Sequence, residues 1–387
     1  MKADEQRRKE SKCDSPKTLT LRKKDYYCDE CFMTNTNHKF RACLGKNKVL
    51  SRNENVLICL SGGPGSAVML DLVHYGISLD NNKKLRIIPN FLHLCGPSPE
   101  ATGELKLSFS EDKNKDTAAV VLNQCKKYNY RVFVAHISDY MKPNIKLPVP
   151  DCVPIVDQAE SNQFYAMLNS LPSTAVNDFL SRVKRSLYIK YATELQCSSV
   201  FTAETTSTLA INLLSNIAIG RGEQVESDIV SYFTKQLPIR DISEEELYYY
   251  IKIRQISPVC NNDLQSHSLQ SVIKSFVEDL QENFQSTIST VCKTADKMGV
   301  CDEQQSCNKC LICGNYKLSA LEATNFSRTV SLDNHVSDEG ALGVLEYEVH
   351  TTMFPFIHKH LCYACSRNYS EMDESKLPHH LRTLFKN

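Results

Sequence analysis

Apolar and polar positions along this chain fall into blocks, and the period changes from block to block. Val56-Leu57-Ile58-Cys59-Leu60 is an unbroken apolar run between Asn55 and Ser61, the pattern of a parallel strand covered on both faces. From Ser66 the period lengthens, and Val68, Met69, Leu72 and Val73 share one helical face. The join, Ser61-Gly62-Gly63-Pro64-Gly65, is a Gly-rich turn. Gly62 and Gly63 can take positive φ and approach a ligand closely, while the following helix offers unpaired N–H groups to an anion. Residues 85–94 read as a second strand, although Pro89 argues for a bulge or an edge position. A polar stretch at 96–114 predicts a loop, 117–127 a helix and 131–137 a third strand. Pro143, Pro148, Pro150 and Pro154 make 141–158 an extended connection. A long helix follows at 178–194, with Phe179, Val183, Leu187 and Tyr191 on its apolar side. Residues 199–204 predict a fourth strand and 205–219 a helix closed by Gly220-Arg221-Gly222; 269–297 is an amphipathic helix or a pair. Strands alternating with helices imply an α/β fold with a doubly wound, mostly parallel sheet. In such a sheet a ligand sits at the carboxyl ends of the strands, where the Ser61–Ser66 turn lies.

Charge adds a second layer. The 387 residues carry no net charge, yet residues 1–52 hold 14 Lys/Arg against 7 Asp/Glu. A basic amino-terminal portion suits a polyanion, although residues 1–12 alone are equally well a solvated tail. No apolar run approaches the roughly 20 residues that span a bilayer, and the charged start lacks the apolar core of a secretory signal, so a cytoplasmic location with no membrane contact is expected. In that compartment thiols stay reduced, and the 17 cysteines point to metal rather than disulfides.

The cysteines concentrate at the two ends. Near the start stand Cys13, the Cys-x-x-Cys pair Cys28/Cys31, and Cys43. A complete tetrahedral site would need a fourth ligand from Cys43, His38 or Glu10; the alternative is an eroded knuckle whose thiols are only small apolar groups. Near the end, Cys310/Cys313 and Cys362/Cys365 form two Cys-x-x-Cys pairs, the signature of a closed structural zinc site. Cys307 makes a fifth thiol, so the set is either shared with Cys301 or one ligand frame with a spare. Between the ends, Cys59, Cys95, Cys125, Cys152 and Cys197 include no such pair; Cys59 is expected in the core, and Cys152 and Cys197 stay open as spatial partners. Lys39, Arg41, Lys46 and Lys48 form a basic block with Phe40 among them, a candidate for phosphate contacts. Arg182, Lys184, Arg185 and Lys190 either face a phosphate backbone or, the simpler reading, form a solvated helix face. Three regions are therefore expected: a basic Cys-containing module at 1–48, an α/β domain at 49–256 and a helical and Cys-x-x-Cys region at 257–387.

Strand, Ser-Gly-Gly turn and helix together resemble the PP-loop, whose pattern is Ser-Gly-Gly-x-Asp-Ser. Ser61, Gly62, Gly63 and Ser66 match it, while Gly65 stands where the pattern has Asp. The exchange weakens the case for Mg-ATP binding and leaves the anion cradle. His38-Lys39-Phe40-Arg41-Ala42, Leu44-Gly45-Lys46-Asn47, Leu213-Leu214-Ser215-Asn216, Gly220-Arg221-Gly222 and the terminal double Cys-x-x-Cys extend the likeness over nearly the whole chain. In this order they resemble the cytoplasmic tRNA 2-thiolation protein 2 family, non-catalytic paralogues of the PP-loop tRNA thiolase. The resemblance implies a PP-loop (adenine nucleotide alpha hydrolase-like) sheet flanked by small Cys-rich zinc-type modules. It further implies an obligate partner of the catalytic thiolase that binds tRNA and supports 2-thiolation of the wobble uridine in lysine, glutamine and glutamate tRNAs. Sulfur would arrive through a ubiquitin-related carrier, the protein urmylation pathway. Two other functions stay open: an active ATP-dependent PP-loop sulfurtransferase, and an unrelated zinc-containing nucleic-acid-binding scaffold.

Overall fold

A computed structural model describes residues 13, 15–16, 18–21, 25–46, 50–82, 84–96, 100–101, 107–108, 111–222, 234–259, 268–295, 310–314, 361–369, 377 and 382. Five strands form one sheet: β3 (Glu54–Cys59), β4 (Ile87–Cys95), β7 (Val132–His136), β8 (Ser199–Phe201) and β9 (Thr234–Gln236). They lie in the order β7-β4-β3-β8-β9, and every pair is parallel. β1 (Leu19–Leu21) and β2 (Asp25–Tyr27) form a separate hairpin, as do the two-residue strands β5 (Glu100–Ala101) and β6 (Leu107–Ser108).

Side-chain alternation along the strands splits the core into two layers. Val56, Ile58 and Leu60 face one side with Phe91, Val132 and Phe201, while Leu57 and Cys59 face the other with Leu92, Ala135 and Val200. The first layer is covered by helices α1 (Asp29–Lys46), α2 (Pro64–Ser78), α3 (Glu111–Lys127) and α7 (Glu244–Arg254). The second is covered by α4 (Gln158–Leu168) and α5 (Ser173–Glu194), together with Cys310, Cys313, Cys362 and Cys365. The carboxy-terminal cysteine segment is thus built into the core of the α/β sheet. Helix α6 (Thr206–Ala218) carries α8 (Leu269–Asn283) and α9 (Gln285–Ala295) through Ala210, Val277, Ile288 and Cys292. No helix among the described residues is long and apolar enough to cross a membrane.

The expected edge or bulge at Pro89 takes a different form. β4 is an interior strand, paired with β3 through Val56↔Pro89. Arg86 and Leu92 direct their carbonyls at β3, so by alternation residue 89 presents its backbone to the other side, where pairing with β7 starts only at Phe91↔Val132. The donor that proline lacks falls beyond the end of that ladder. The polar stretch before residue 117 also differs, because it holds β5, β6 and the first turn of α3.

Asp71 locks α2 to its neighbours. This buried carboxylate accepts from Tyr250 Oη at 2.7 Å, from Arg254 Nε at 2.9 Å and Nη2 at 3.0 Å, and from Tyr128 Oη. Burial alone would raise its pKa, but the hydrogen bonds from Arg254, Tyr128 and Tyr250 prevail and hold it below the usual carboxylate value.

Candidate functional site

The Ser61–Ser66 turn sits at the carboxyl end of β3, as the pattern predicts. Gly62 adopts φ +85°, and a Cβ there would meet Thr117 Cγ2 at 2.9 Å, so both conformation and space require glycine. Val259 N donates to Gly62 O at 2.9 Å, pinning the turn from outside. Within the turn Gly63 N donates to Ser61 Oγ at 3.4 Å, Ser61 Oγ to Ser66 Oγ at 3.2 Å, and Ser66 Oγ to Gly63 O at 3.0 Å. Pro64 opens the helix and contributes no N–H. At Gly65, a Cβ would lie 2.9 Å from Ala203 O and 3.3 Å from Ile239 Cδ1. The backbone leaving β8 and a fully buried isoleucine therefore close the space into which an aspartate at position 65 would project.

Beside the turn opens a cleft of about 480 Å³, lined by Cys59 of β3 and Ser61 just after it, Thr202 to Glu204 beyond β8, Asp178 to Ile189 of α5, and Asn212 to Ile219 on and just after α6. The cations of α5 do not form one solvated face: Lys184 is exposed, Arg185 and Lys190 are half-buried and Arg182 is buried. Arg182 is buried and donates through Nη2 to Asn216 Oδ1 at 3.1 Å. Lys184 and Arg185 line the cleft, and Lys190 Nζ donates to Lys142 O at 3.4 Å. Lys184 remains open to solvent, yet desolvation by the crowded walls lowers its pKa. Nearby His93, at the end of β4, donates Nδ1–H to Leu60 O at 2.8 Å; burial lowers its pKa, and Lys184 lowers it further. Cys59 is in the core as expected, and it also reaches the cleft wall. The open pairing of Cys152 with Cys197 is not realised. Cys152 is exposed, next to Asp151, whose carboxylate accepts from the first amide of β7. Cys197 is buried just before β8, where burial pushes its thiol up to about 11. Both lie at the amino ends of the strands, across the sheet from the cleft.

The carboxy-terminal cysteines converge. All four sulfurs of Cys310, Cys313, Cys362 and Cys365 lie within 4.8 Å of one another, all four residues are buried, and Cys313 Sγ is 3.7 Å from Cys362 Sγ. Thiols this close compete for protons. Cys310 is driven far below the ordinary thiol value by hydrogen bonds from Cys313, Cys362 and Cys365, Cys313 is driven up as donor to Cys310, and burial pushes Cys365 up. A cation at the centre removes the competition by letting all four ionise. Geometry and donor type fit a metal; Cys301 and Cys307 lie outside the described residues.

At the amino terminus only three of the expected ligands meet. Cys13, Cys28 and Cys31 cluster, with Cys13 Sγ 3.6 Å from Cys28 Sγ. The hydroxyl and amide of Ser15 hold Cys13 down at about 7, while Cys31 is raised to about 11, first by its bond to Cys28. Cys43, expected as a possible fourth ligand, is excluded: it lies about 18 Å further along α1 at 1.5 Å per residue, and its Sγ donates to Leu237 O at 3.0 Å. His38, exposed and about 10 Å along the same helix, is excluded on the same ground. Glu10 lies outside the described residues.

The basic block is divided. Lys39 Nζ pairs with the buried Glu246 Oε1 at 2.6 Å and donates to Asp241 O at 3.2 Å, fastening α1 to α7. Arg41 is half-buried on α1, Lys46 is the last residue of that helix, and Lys48 lies outside the described residues.

Comparison with known proteins bears on this geometry. A cytoplasmic tRNA 2-thiolation protein 2 from Drosophila yakuba is 30% identical over 95% of this chain and 91% of its own length. This chain belongs to the cytoplasmic tRNA 2-thiolation protein 2 family. Its namesake from Anopheles gambiae is also 30% identical, over 83% of this chain and 78% of its own. The model of the tRNA 2-thiolation protein 2 family matches residues 268–367, the span that holds α8, α9 and all four carboxy-terminal cysteines. Among solved structures, the U34-tRNA thiolase NcsA from Methanococcus maripaludis, described with its [4Fe-4S] cluster, superposes with a TM-score of 0.54 at 17% identity, over 85% of this chain and 98% of its own. That likeness is one of fold, and it agrees with the PP-loop type of parallel sheet read from the Ser61–Ser66 turn.

Sequence reasoning missed the roles of Asp178 and Arg221. Arg221 is fully buried, and its fork grips Asp178. A signal was present: Asp178 stands among Ala175, Val176, Phe179 and Leu180, all buried positions of α5. An acid there demands a buried cation.

Proposed function

We propose that this protein is the non-catalytic subunit of a cytoplasmic tRNA-thiolation complex, supporting 2-thiolation of the wobble uridine in lysine, glutamine and glutamate tRNAs. The observation that carries this reading is the closure at Gly65. The turn keeps its backbone shape, while Ala203 O and Ile239 fill the place of the PP-loop aspartate. Thiolation on this fold needs ATP to turn the uridine O2 into a leaving group, and thiolates in the PP-loop domain to deliver sulfur or hold an iron–sulfur cluster. In this chain Cys152 and Cys197 lie at the opposite end of the strands. Cys59 is the thiol among the described residues that line the cleft.

In this reading the adenylating and sulfur-delivering groups belong to a cysteine-rich PP-loop paralogue with which the chain pairs, the sulfur coming from a ubiquitin-related carrier. The chain's own contribution is surface. Arg41, Lys46 and Lys48 would meet tRNA phosphates without sequence preference. Lys184 and Arg185 set a positive wall along the cleft. Ser61, Gly62, Gly63 and Ser66 keep an anion-sized turn without the carboxylate that would manage Mg-ATP.

We assign zinc to Cys310, Cys313, Cys362 and Cys365. Tetrahedral Zn–S bonds of about 2.3 Å put sulfurs roughly 3.8 Å apart, close to the 3.7 Å between Cys313 and Cys362. A cubane cluster would interpose its own irons and sulfides and spread the thiolates further. Such a closed site supplies folding energy and no open coordination position. Cys13, Cys28 and Cys31 form a second, three-thiol candidate that needs one more ligand.

ATP–pyrophosphate exchange and copurification test the reading together. The isolated chain should show no tRNA-dependent exchange and should copurify with a cysteine-rich PP-loop paralogue. Exchange by the isolated chain would make it an enzyme in its own right. Absence of the paralogue from the purified complex would leave a zinc-containing nucleic-acid-binding scaffold.

A further inference from the structure

Arg221 lies between a carboxylate and a cysteine sulfur. Its Nη1 and Nη2 donate to Asp178 Oδ1 and Oδ2 at 2.5 and 2.7 Å, and Nη2 also donates to Cys365 Sγ at 3.3 Å. Asp178 accepts in addition from Asn368 Nδ2 at 2.9 Å and from Tyr369 Oη, both within a turn of Cys365. On its other side Asp178 faces Arg182 Nε at 3.6 Å, and Arg182 reaches Asn216. Asp178, Arg182 and Asn216 are walls of the cleft. A continuous line of polar contacts thus runs from a thiol of the four-cysteine site to the cleft.

Four thiolates around a divalent ion leave an excess of negative charge, here in a buried place where uncompensated charge is costly. A guanidinium is suited to this position, since its planar fork can hold a carboxylate with two N–H groups and still offer one to sulfur. Lysine, a single point charge, cannot span both. Hydrogen bonds to ligating sulfurs are the contacts that orient the ligands and set metal affinity.

We propose that Arg221 is the outer-sphere partner of the carboxy-terminal metal, and that the line Arg221–Asp178–Arg182 makes the shape of the cleft depend on metal occupancy. The proposal rests on reading the four thiols as a metal site. With metal bound, Cys365 is fixed in place beside Arg221, while Asn368 and Tyr369 hold Asp178. When the metal leaves, the 361–369 segment loses its tie to 310–314, and Asp178 loses Asn368 and Tyr369. The first turns of α5 and the Arg182–Asn216 contact then loosen. The β3–β4 ladder has no part in this line and stays as it is.

Two measurements on the full chain test this. In the first, hydrogen exchange is followed before and after a chelator strips the metal. Amides at 178–185 and 213–219 should exchange more than tenfold faster in the stripped protein, while β3 and β4 keep their protection. Unchanged protection at 178–185 would overturn the coupling. In the second, metal release to a chromophoric chelator is timed in wild type, Arg221→Lys and Arg221→Met. Arg221→Met should release about 10–100-fold faster, with Arg221→Lys between it and wild type. A folded Arg221→Met that releases metal at the wild-type rate would remove Arg221 from the site. The exchange measurement needs no variant, so it decides the coupling even if Arg221→Met fails to fold. A wild-type chain that holds no metal would refute the metal reading itself, and the proposal with it.

Discussion

Replacing Gly65 tests the closure of the turn. A Cβ at this position would stand 2.9 Å from Ala203 O, where ordinary contact begins near 3.4 Å, and 3.3 Å from Ile239 Cδ1. Neither neighbour can yield easily: Ala203 O is backbone at the exit of β8, and Ile239 is fully buried. Overpacking of this kind costs about 1–3 kcal/mol, and the gain from replacing a helical glycine by alanine returns about 0.5–1 kcal/mol. Gly65→Ala should therefore lose about 1–2 kcal/mol net. Gly65→Asp adds a favourable helix N-terminal charge of about 0.3–1 kcal/mol, but it places that carboxylate against a carbonyl oxygen, so its loss should be at least that of alanine. Urea denaturation reads this as a lower midpoint at an unchanged slope. Calorimetric titration of Gly65→Asp with Mg-ATP should show no heat of binding. A Gly65→Asp protein as stable as wild type that binds Mg-ATP would refute the argument, because the aspartate would then have room and the turn would be a working PP-loop.

Other expectations follow from the same contacts. Cys310→Ser with Cys313→Ser should lose one metal equivalent by elemental analysis; structural zinc is worth on the order of 10 kcal/mol in small sites, so the 361–369 segment should also become sensitive to protease. Asp71→Asn should cost about 1.5–3 kcal/mol. Because the folded pKa of Asp71 is depressed, its contribution is fully present above the unfolded value of about 4 and fades as pH falls through the folded one; stability measured against pH should lose part of its acid limb in the variant. Arg41→Ala with Lys46→Ala and Lys48→Ala should weaken tRNA binding and flatten its salt dependence. Lys39→Ala should lower stability by breaking the pair with Glu246, leaving the salt slope of tRNA binding nearly as it was.

Four strands of the parallel sheet were legible because each carries a short apolar run separated from the next by a helical period, and residues 56–60 and 66–73 needed no tertiary information; β9, Thr-Lys-Gln, has no such run and was not read. The hairpin Leu19–Leu21/Asp25–Tyr27 and helix Asp29–Lys46 were not, since the cysteine spacing there drew attention to a metal module and concealed an 18-residue helix. That helix is what carries Cys43 away from Cys28 and Cys31. The four carboxy-terminal cysteines were readable as a set from spacing alone. Their place in the sheet's own core was not, because contacts across the 49-residue separation of Cys313 and Cys362 leave no periodic trace. The cations of α5 were misread for a related reason. Periodicity assigns Arg182 to the polar side of the helix, and its inward position is tolerable because partners such as the buried Asp178 and the half-buried Asn216 meet it there. Gly65 was visible as a departure from a pattern, whereas the backbone oxygen that fills its space belongs to a strand well over a hundred residues away.

The central claim is that the chain serves tRNA thiolation without performing its chemistry. Mass spectrometry of tRNA nucleosides tests it most directly, in cells deleted for this gene and complemented with either wild type or a Cys59→Ala, Cys152→Ser, Cys197→Ser triple variant. The deletion should abolish wobble 2-thiouridine, and both complementing chains should restore it, since none of these thiols carries sulfur. Wild-type levels of 2-thiouridine in the deletion would contradict any role in thiolation. Failure of a folded triple variant to restore the nucleoside, while still bound to its partner, would place the chemistry in this chain.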